Sequence, residues 1–119
     1  MSENNSVLVT GIGIYTSIGS TREEFWASLV AGRSGIKRIQ AFDPKGHKCQ
    51  IASEVPSFTT DNYLDPKQAR KMVRASHMAV CAGIDAVRDA GLDLEKADRS
   101  RIGCIVGTHR DGCPVDAFD

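Results

Sequence analysis

Apolar and polar positions fall into distinct patterns along the chain, and each pattern predicts an element. Residues 7–10 are a β-branched run, extending toward Ile14, that suits a buried strand. Phe25, Trp26, Leu29 and Val30 then recur at helical spacing. Ser20 and Glu23 have the S-x-x-E spacing of a capping box ahead of them, and Gly32 stands where a left-handed residue ends a helix. From residue 34 to residue 63 the pattern lapses. Pro44 and Pro56 punctuate an irregular stretch in which only residues 49–55 predict a short strand.

The longest pattern follows. Ala69, Met72, Val73, Ser76, Ala79, Val80, Gly83, Ile84, Val87 and Ala90 form one stripe at helical spacing. With Asp65 as cap, Pro66 at the first position and Gly91 at the end, they predict a single helix of about seven turns. Gly83 lies inside the stripe. A mid-helix glycine costs about 1 kcal/mol relative to alanine, so its presence predicts that another backbone approaches closely there. After a polar stretch, residues 101–106 predict a last apolar strand before Gly107. No repeat, low-complexity tract or linker interrupts the chain, so residues 1–119 are expected to form one piece without an internal boundary.

Composition acts mainly by exclusion. The 119 residues, 41% of them hydrophobic and 25% charged, fit an ordinary globular chain rather than a disordered or fibrous one. The 15 basic residues balance 15 acidic ones, so no overall field draws the chain to nucleic acid or to an anionic membrane. The opening MSENNS is polar, and nowhere do apolar residues run long enough for a membrane span, which leads us to expect a cytoplasmic protein. The 4 cysteines, Cys49, Cys81, Cys104 and Cys113, form no CxxC pair and read as free thiols of a reducing compartment. His77 and Cys81 are four apart, as are His109 and Cys113, but a zinc site needs two such pairs to converge, and no metal is expected.

The first segment, SVLVTGIGIYTSIGSTREEFW, has the strand, glycine turn and helix with which many nucleotide-binding domains begin. Gly11 and Gly13 fit a G-x-G-x-x-G fingerprint, but Thr16 occupies its third glycine position. The TGxxxGxG variant fails at Tyr15 and Ser17. No acidic residue can be placed at the end of a second strand, because that region holds the first helix. The glycines are therefore expected to serve a tight turn and close packing, and no cofactor is expected.

The same stretch resembles the start of the β-ketoacyl-acyl carrier protein synthases, the elongating condensing enzymes of the thiolase superfamily. The likeness runs from VLVTGIGIYTSIG through FWASLVAGRSGI, FDP, DPKQARKM and DAGLDL to RIGCIVGT, almost the whole chain in order. It implies an α/β fold, a partial thiolase-like αβαβα layered arrangement with an N-terminal strand, a helix, a long helix and a strand. A thiolase-type half has a five-stranded sheet between helical layers, of which only two strands and two helices are expected here. The chain thus reads as the N-terminal fragment of a longer ketosynthase.

The resemblance also locates what this stretch lacks. In the family a cysteine at a helix N-terminus takes the acyl group as a thioester, and two histidines assist decarboxylation of malonyl-carrier and stabilise the developing oxyanion. All three positions lie beyond Asp119. Cys113, followed by Pro114 and Val115, lacks the nucleophile's context, and His47, His77 and His109 match no catalytic position. No catalytic residue is assigned, and this chain alone is expected to be inactive. The histidines read as ordinary surface or satisfied side chains.

One functional surface is implied nonetheless. Lys67, Arg70, Lys71 and Arg74, at i, i+3, i+4 and i+7, gather on one side of the predicted long helix, opposite its apolar stripe. Cations in the first turns oppose the helix macrodipole, so stability alone does not select them there. In the family, basic residues matching Lys67, Arg70 and Lys71 engage the acidic acyl carrier protein near its phosphopantetheine-bearing serine, and Arg74 lies one turn further on. Without the resemblance, the same residues read as a solvated helix face. Two departures bear on activity. Val73 stands where the family has an acidic residue and Ala75 where it has an aromatic one. Within GTHRDG, Arg110 takes the place of the apolar residue that gates the acyl channel, where an unpaired guanidinium is costly to bury. Asp111 or a substrate carboxylate are the partners available to it. An atypical synthase with short or polar acyl substrates, or a non-elongating partner subunit, would accommodate this change.

Three readings follow. The leading one is an acyltransferase fragment: condensation of an acyl thioester with malonyl-carrier in fatty acid or polyketide synthesis, the full-length form being a dimer. The alternative is a non-catalytic carrier-binding subunit resembling a chain-length factor. The third is a nucleotide-binding module.

Overall fold

The computed structural model describes residues 6–55 and 58–107. Its helices are α1 (Arg22–Val30), α2 (Pro66–Ala69) and α3 (Arg74–Asp89), and its strands are β1 (Ile36–Arg38) and β2 (Ile51–Ser53). A single 3₁₀ turn, Arg99–Arg101, follows α3. This is a partial α/β arrangement with a two-stranded antiparallel sheet, Ile36 opposite Ser53 and Arg38 opposite Ile51.

α1 begins one residue later than its predicted capping box. Thr21 is the N-cap, its Oγ1 accepting from Glu24 N at 3.2 Å, while Glu24 Oε2 accepts from Ser20 N at 3.0 Å. The T-x-x-E spacing thus takes over from the overlapping S-x-x-E. Gly32, at φ 64°, ends the helix as predicted, and Gly91, at φ 63°, does the same for α3. The predicted strand within 49–55 is β2; its partner β1 lies in a stretch read as irregular. Glu54 holds the chain after β1, its carboxylate accepting from Gln40 N and Ala41 N.

The single helix expected from Asp65 to Gly91 is two. Its start is as predicted: Asp65 Oδ1 accepts from Lys67 N at 2.8 Å and Pro66 takes the first position. After Ala69 the backbone bonds tighten to i→i+3, from Lys71 N to Gln68 O and from Met72 N to Ala69 O. Val73 then swings to ψ 160°, and α3 starts afresh at Arg74. The cause is local competition for one carbonyl. Ala69 O, which a continuous helix would offer to Val73 N, instead takes Met72 N and the His77 ring nitrogen Nε2, 2.7 Å away.

The predicted end strands form no ladder. Residues 6–15 and 102–107 take no regular structure, and Val7 is 94% and Ile105 98% exposed. A strand needs a neighbour to complete its backbone bonds, and among the described residues neither segment has one. The first segment is nevertheless fixed, because it lies directly on α3. A Cβ on Gly13 would stand 1.9 Å from Ala82 O, and one on Gly11 would stand 2.2 Å from Ala86 O. These glycines do serve close packing, as their sequence context suggests. The glycine-facing side of α3 is Ala82, Ala86 and Ala90, at i, i+4 and i+8, small residues that let a second backbone come in. By contrast Gly83 has nothing within 4 Å of its Cβ position, which corrects the expectation of a close approach there. Ala79, Val80 and Gly83, the middle of the predicted apolar stripe, are exposed.

Candidate functional site

The four cations of the predicted ridge occupy two helices rather than one. Lys67 lies on α2, Arg70 is its C-cap, Lys71 follows in the tightened turn, and Arg74 opens α3. The break at Val73 removes the i+7 relation, so Arg74 is not carried on the same helical face as the other three. It has contacts of its own. Its Nη2 donates to Val55 O at 3.1 Å and its guanidinium lies 5.4 Å from the centre of the Phe58 ring. Arg74 and Lys37 border an open cleft of about 590 Å³ that Glu54 and Ser17 also line.

Lys67, Arg70 and Lys71 are exposed, and among the described residues none of them joins an ion pair. Asp65 complements the positive end of α2 from its N-cap, whereas the first turn of α3 carries no acidic residue and its N-cap, Val73, makes no side-chain bond. The side chains of Lys67, Arg70 and Lys71 thus face solvent without an ion-pair partner among the described residues.

A polar cluster that the sequence does not announce centres on Asp85 of α3. Tyr15 OH and Tyr63 OH both donate to Asp85 Oδ2, at 2.8 and 2.9 Å. Arg88 Nη1 stands 3.5 Å from Asp85 Oδ1, and its guanidinium lies over the Tyr63 ring at 5.3 Å. Tyr15 also meets Phe58 edge to face, with ring centroids 5.1 Å apart. One turn on, Asp89 accepts from Ile12 N at 3.0 Å and from Arg22 Nη1. Asp85 and Asp89 thus tie the glycine segment, the start of α1 and the residues before α2 to a single face of α3. Burial pushes the Tyr15 phenol well above the ordinary tyrosine range, and the hydrogen bonds from and to its cluster add to the shift. Burial likewise raises the Cys81 thiol, with the nearby Asp85 charge acting in the same direction.

Among the described residues no group of three or more His, Cys, Asp and Glu side chains is placed to hold a metal. His77 spends its Nε2 on Ala69 O, the satisfied role expected of it. His109, Arg110 and Cys113 lie outside the described residues, so the acyl-channel gate position has no place in this geometry. No helix among the described residues is long and apolar enough to cross a membrane.

Comparison with known proteins adds the family context. The sequence model for "Beta-ketoacyl synthase, N-terminal domain" matches residues 4–114. The chain is 39% identical, over 95% of its length, to a 3-oxoacyl-[acyl-carrier-protein] synthase 2 of Synechocystis sp.. It is 37% identical, over 86% of its length, to the protein of that name from Vibrio cholerae. It spans only 27% and 25% of those two relatives. Among solved structures, the ishigamide ketosynthase/chain length factor superposes with a TM-score of 0.66 at 41% identity, covering 73% of this chain and 22% of that one.

Proposed function

The chain belongs to the β-ketoacyl synthase family, through its N-terminal domain, and from that premise we propose that the whole protein is a 3-oxoacyl-[acyl-carrier-protein] synthase. It condenses an acyl thioester with malonyl-carrier protein. Loss of carbon dioxide from the malonyl group leaves a carbanion equivalent that attacks the enzyme-bound acyl carbonyl, and the cysteine thiolate departs as the 3-oxoacyl product stays on the carrier. The cysteine and histidines that do this lie outside residues 1–119. These residues contribute one part of a single layered thiolase-like domain without an internal boundary, and the apolar side chains of residues 7–9, 80 and 105–106 are covered by the remainder of that domain.

The share of the reaction that falls to these residues is recognition of the carrier. The observation that supports it is the set of three exposed cations, Lys67, Arg70 and Lys71, with no acidic partner among the described residues. Arg74 adds charge beside them. Carrier proteins of this pathway are acidic, and opposed charges raise the encounter rate and fix the register of docking. The test is carrier binding by the whole protein before and after Arg70→Glu with Lys71→Glu. Reversal is expected to weaken binding on the order of tenfold at low salt, and the loss should shrink as salt is added. Binding indifferent to the reversal would remove this surface from the account.

A second reading has an observation of its own, the superposition on the ishigamide ketosynthase/chain length factor. A partner subunit that binds carrier without condensing would keep the docking surface and lack the nucleophile. Arg110, which the resemblance aligns with the acyl-channel gate position, favours either this reading or a synthase of short or polar acyl chains, because a guanidinium is costly to bury beside a hydrocarbon tail.

A further inference from the structure

The segment that carries Lys67, Arg70 and Lys71 is too short to hold its own shape. α2 has 4 residues. A single turn fixes several dihedral angles for very few hydrogen bonds and is unstable in isolation. Something else must present these cations in a fixed arrangement. The structure supplies one restraint at each end. Before α2, Tyr63 OH donates to Asp85 Oδ2 at 2.9 Å, anchoring the turn that leads into the Asp65 cap to the C-terminal half of α3. After it, His77 Nε2 lies 2.7 Å from Ala69 O, holding the last residue of α2 to the first turns of α3. The same bond ends the helix at Ala69, and so sets where Arg70 and Lys71 leave it.

Tyr63 and His77 touch neither the acyl chain nor the reacting atoms in any reading above. We propose that they are positioning residues for carrier docking: together they fix α2 against α3 so that Lys67, Arg70 and Lys71 are ordered before the carrier arrives. This rests on the docking reading of those three cations. Ordering side chains in advance lowers the entropic cost of binding, so loosening α2 weakens affinity even though every cation remains.

The experiment is a titration of the whole protein with its acyl carrier protein, followed by hydrogen exchange on the same samples. The double variant Tyr63→Phe with His77→Ala keeps both the aromatic ring at 63 and all the docking charges. Its Kd for carrier is expected to rise on the order of tenfold. His77→Gln, whose amide can still donate to Ala69 O, should stay within about twofold of the parent. In the double variant, amides of residues 67–72 should exchange faster while those of α1 keep their rates. Unchanged exchange at 67–72, or an unchanged Kd in the double variant, overturns the proposal. Equal acceleration in α1 also overturns it, since that marks a general loss of fold. Lys67→Glu with Arg70→Glu, measured alongside, separates the two levels. If that reversal weakens binding and the double variant does not, positioning fails and docking stands; if the reversal has no effect, docking itself fails.

Discussion

Replacing Gly13 by alanine gives the sharpest stability prediction. The new Cβ would stand 1.9 Å from Ala82 O, 2.7 Å from Ala82 C and 2.9 Å from Ala86 N, where ordinary contact begins at 3.4 Å. All three neighbours are backbone atoms of α3, so no side chain can rotate away. Either the helix or the glycine segment must move by more than an ångström, which disturbs the Ile12 N to Asp89 and Tyr15 OH to Asp85 bonds on either side. Overpacking in a closed site costs about 1 to 3 kcal/mol and sometimes more, and a clash with fixed backbone belongs at the upper end, about 3 kcal/mol. Gly32→Ala is the comparison. It sits at φ 64° with nothing within 4 Å, so its cost is the left-handed backbone alone, about 1 kcal/mol. Urea unfolding of the two variants in the same protein, read by circular dichroism, ranks them. A Gly13→Ala loss no larger than that of Gly32→Ala would refute the packing of the glycine segment on α3.

Three further outcomes are expected. Cys49 is exposed and Cys81 is buried with its thiol pKa raised, so a thiol reagent at neutral pH should label Cys49 quickly and reach Cys81 only on unfolding; equal rates would contradict the packing around Cys81. The folded state holds the Tyr15 proton beyond the ordinary tyrosine value of 10.0, so stability is full below that value and falls as pH rises past it; melting temperatures should drop there, less steeply in Tyr15→Phe, and a flat or rising profile would contradict the cluster. Arg110→Leu in the whole protein is expected to shift acyl preference toward longer chains, as product analysis over a chain-length series would show, and an unchanged preference would remove Arg110 from the channel.

Local signals in the sequence carried the element ends well. Gly32, Asp65, Pro66 and Gly91 act as their types dictate, because capping is decided within a few residues. The glycine pair was legible as a packing device for the same reason that it failed as a phosphate loop: its third position is Thr16. What the sequence did not disclose depends on distant partners. Tyr15 and Asp85 are 70 residues apart, and no spacing rule connects them. The break at Val73 follows from His77 reaching back to Ala69, a choice invisible to a pattern that counts apolar residues on a stripe. The end segments read as strands because their residues favour the extended state, yet a ladder needs a neighbour that the described residues do not supply. The four cations were singled out by helical spacing; Lys67, Arg70 and Lys71 stay together on and just after α2, whereas Arg74, whose spacing assumed a continuous helix, opens α3.

The most direct test of the account is the product formed when the whole protein is given acyl-carrier and malonyl-carrier, resolved by mass spectrometry of the carrier. The account predicts a 3-oxoacyl-carrier two carbons longer than the acyl donor, formed with release of carbon dioxide. Carrier binding with no such product, across short, polar and long acyl donors, would contradict condensation and leave the partner-subunit reading in its place.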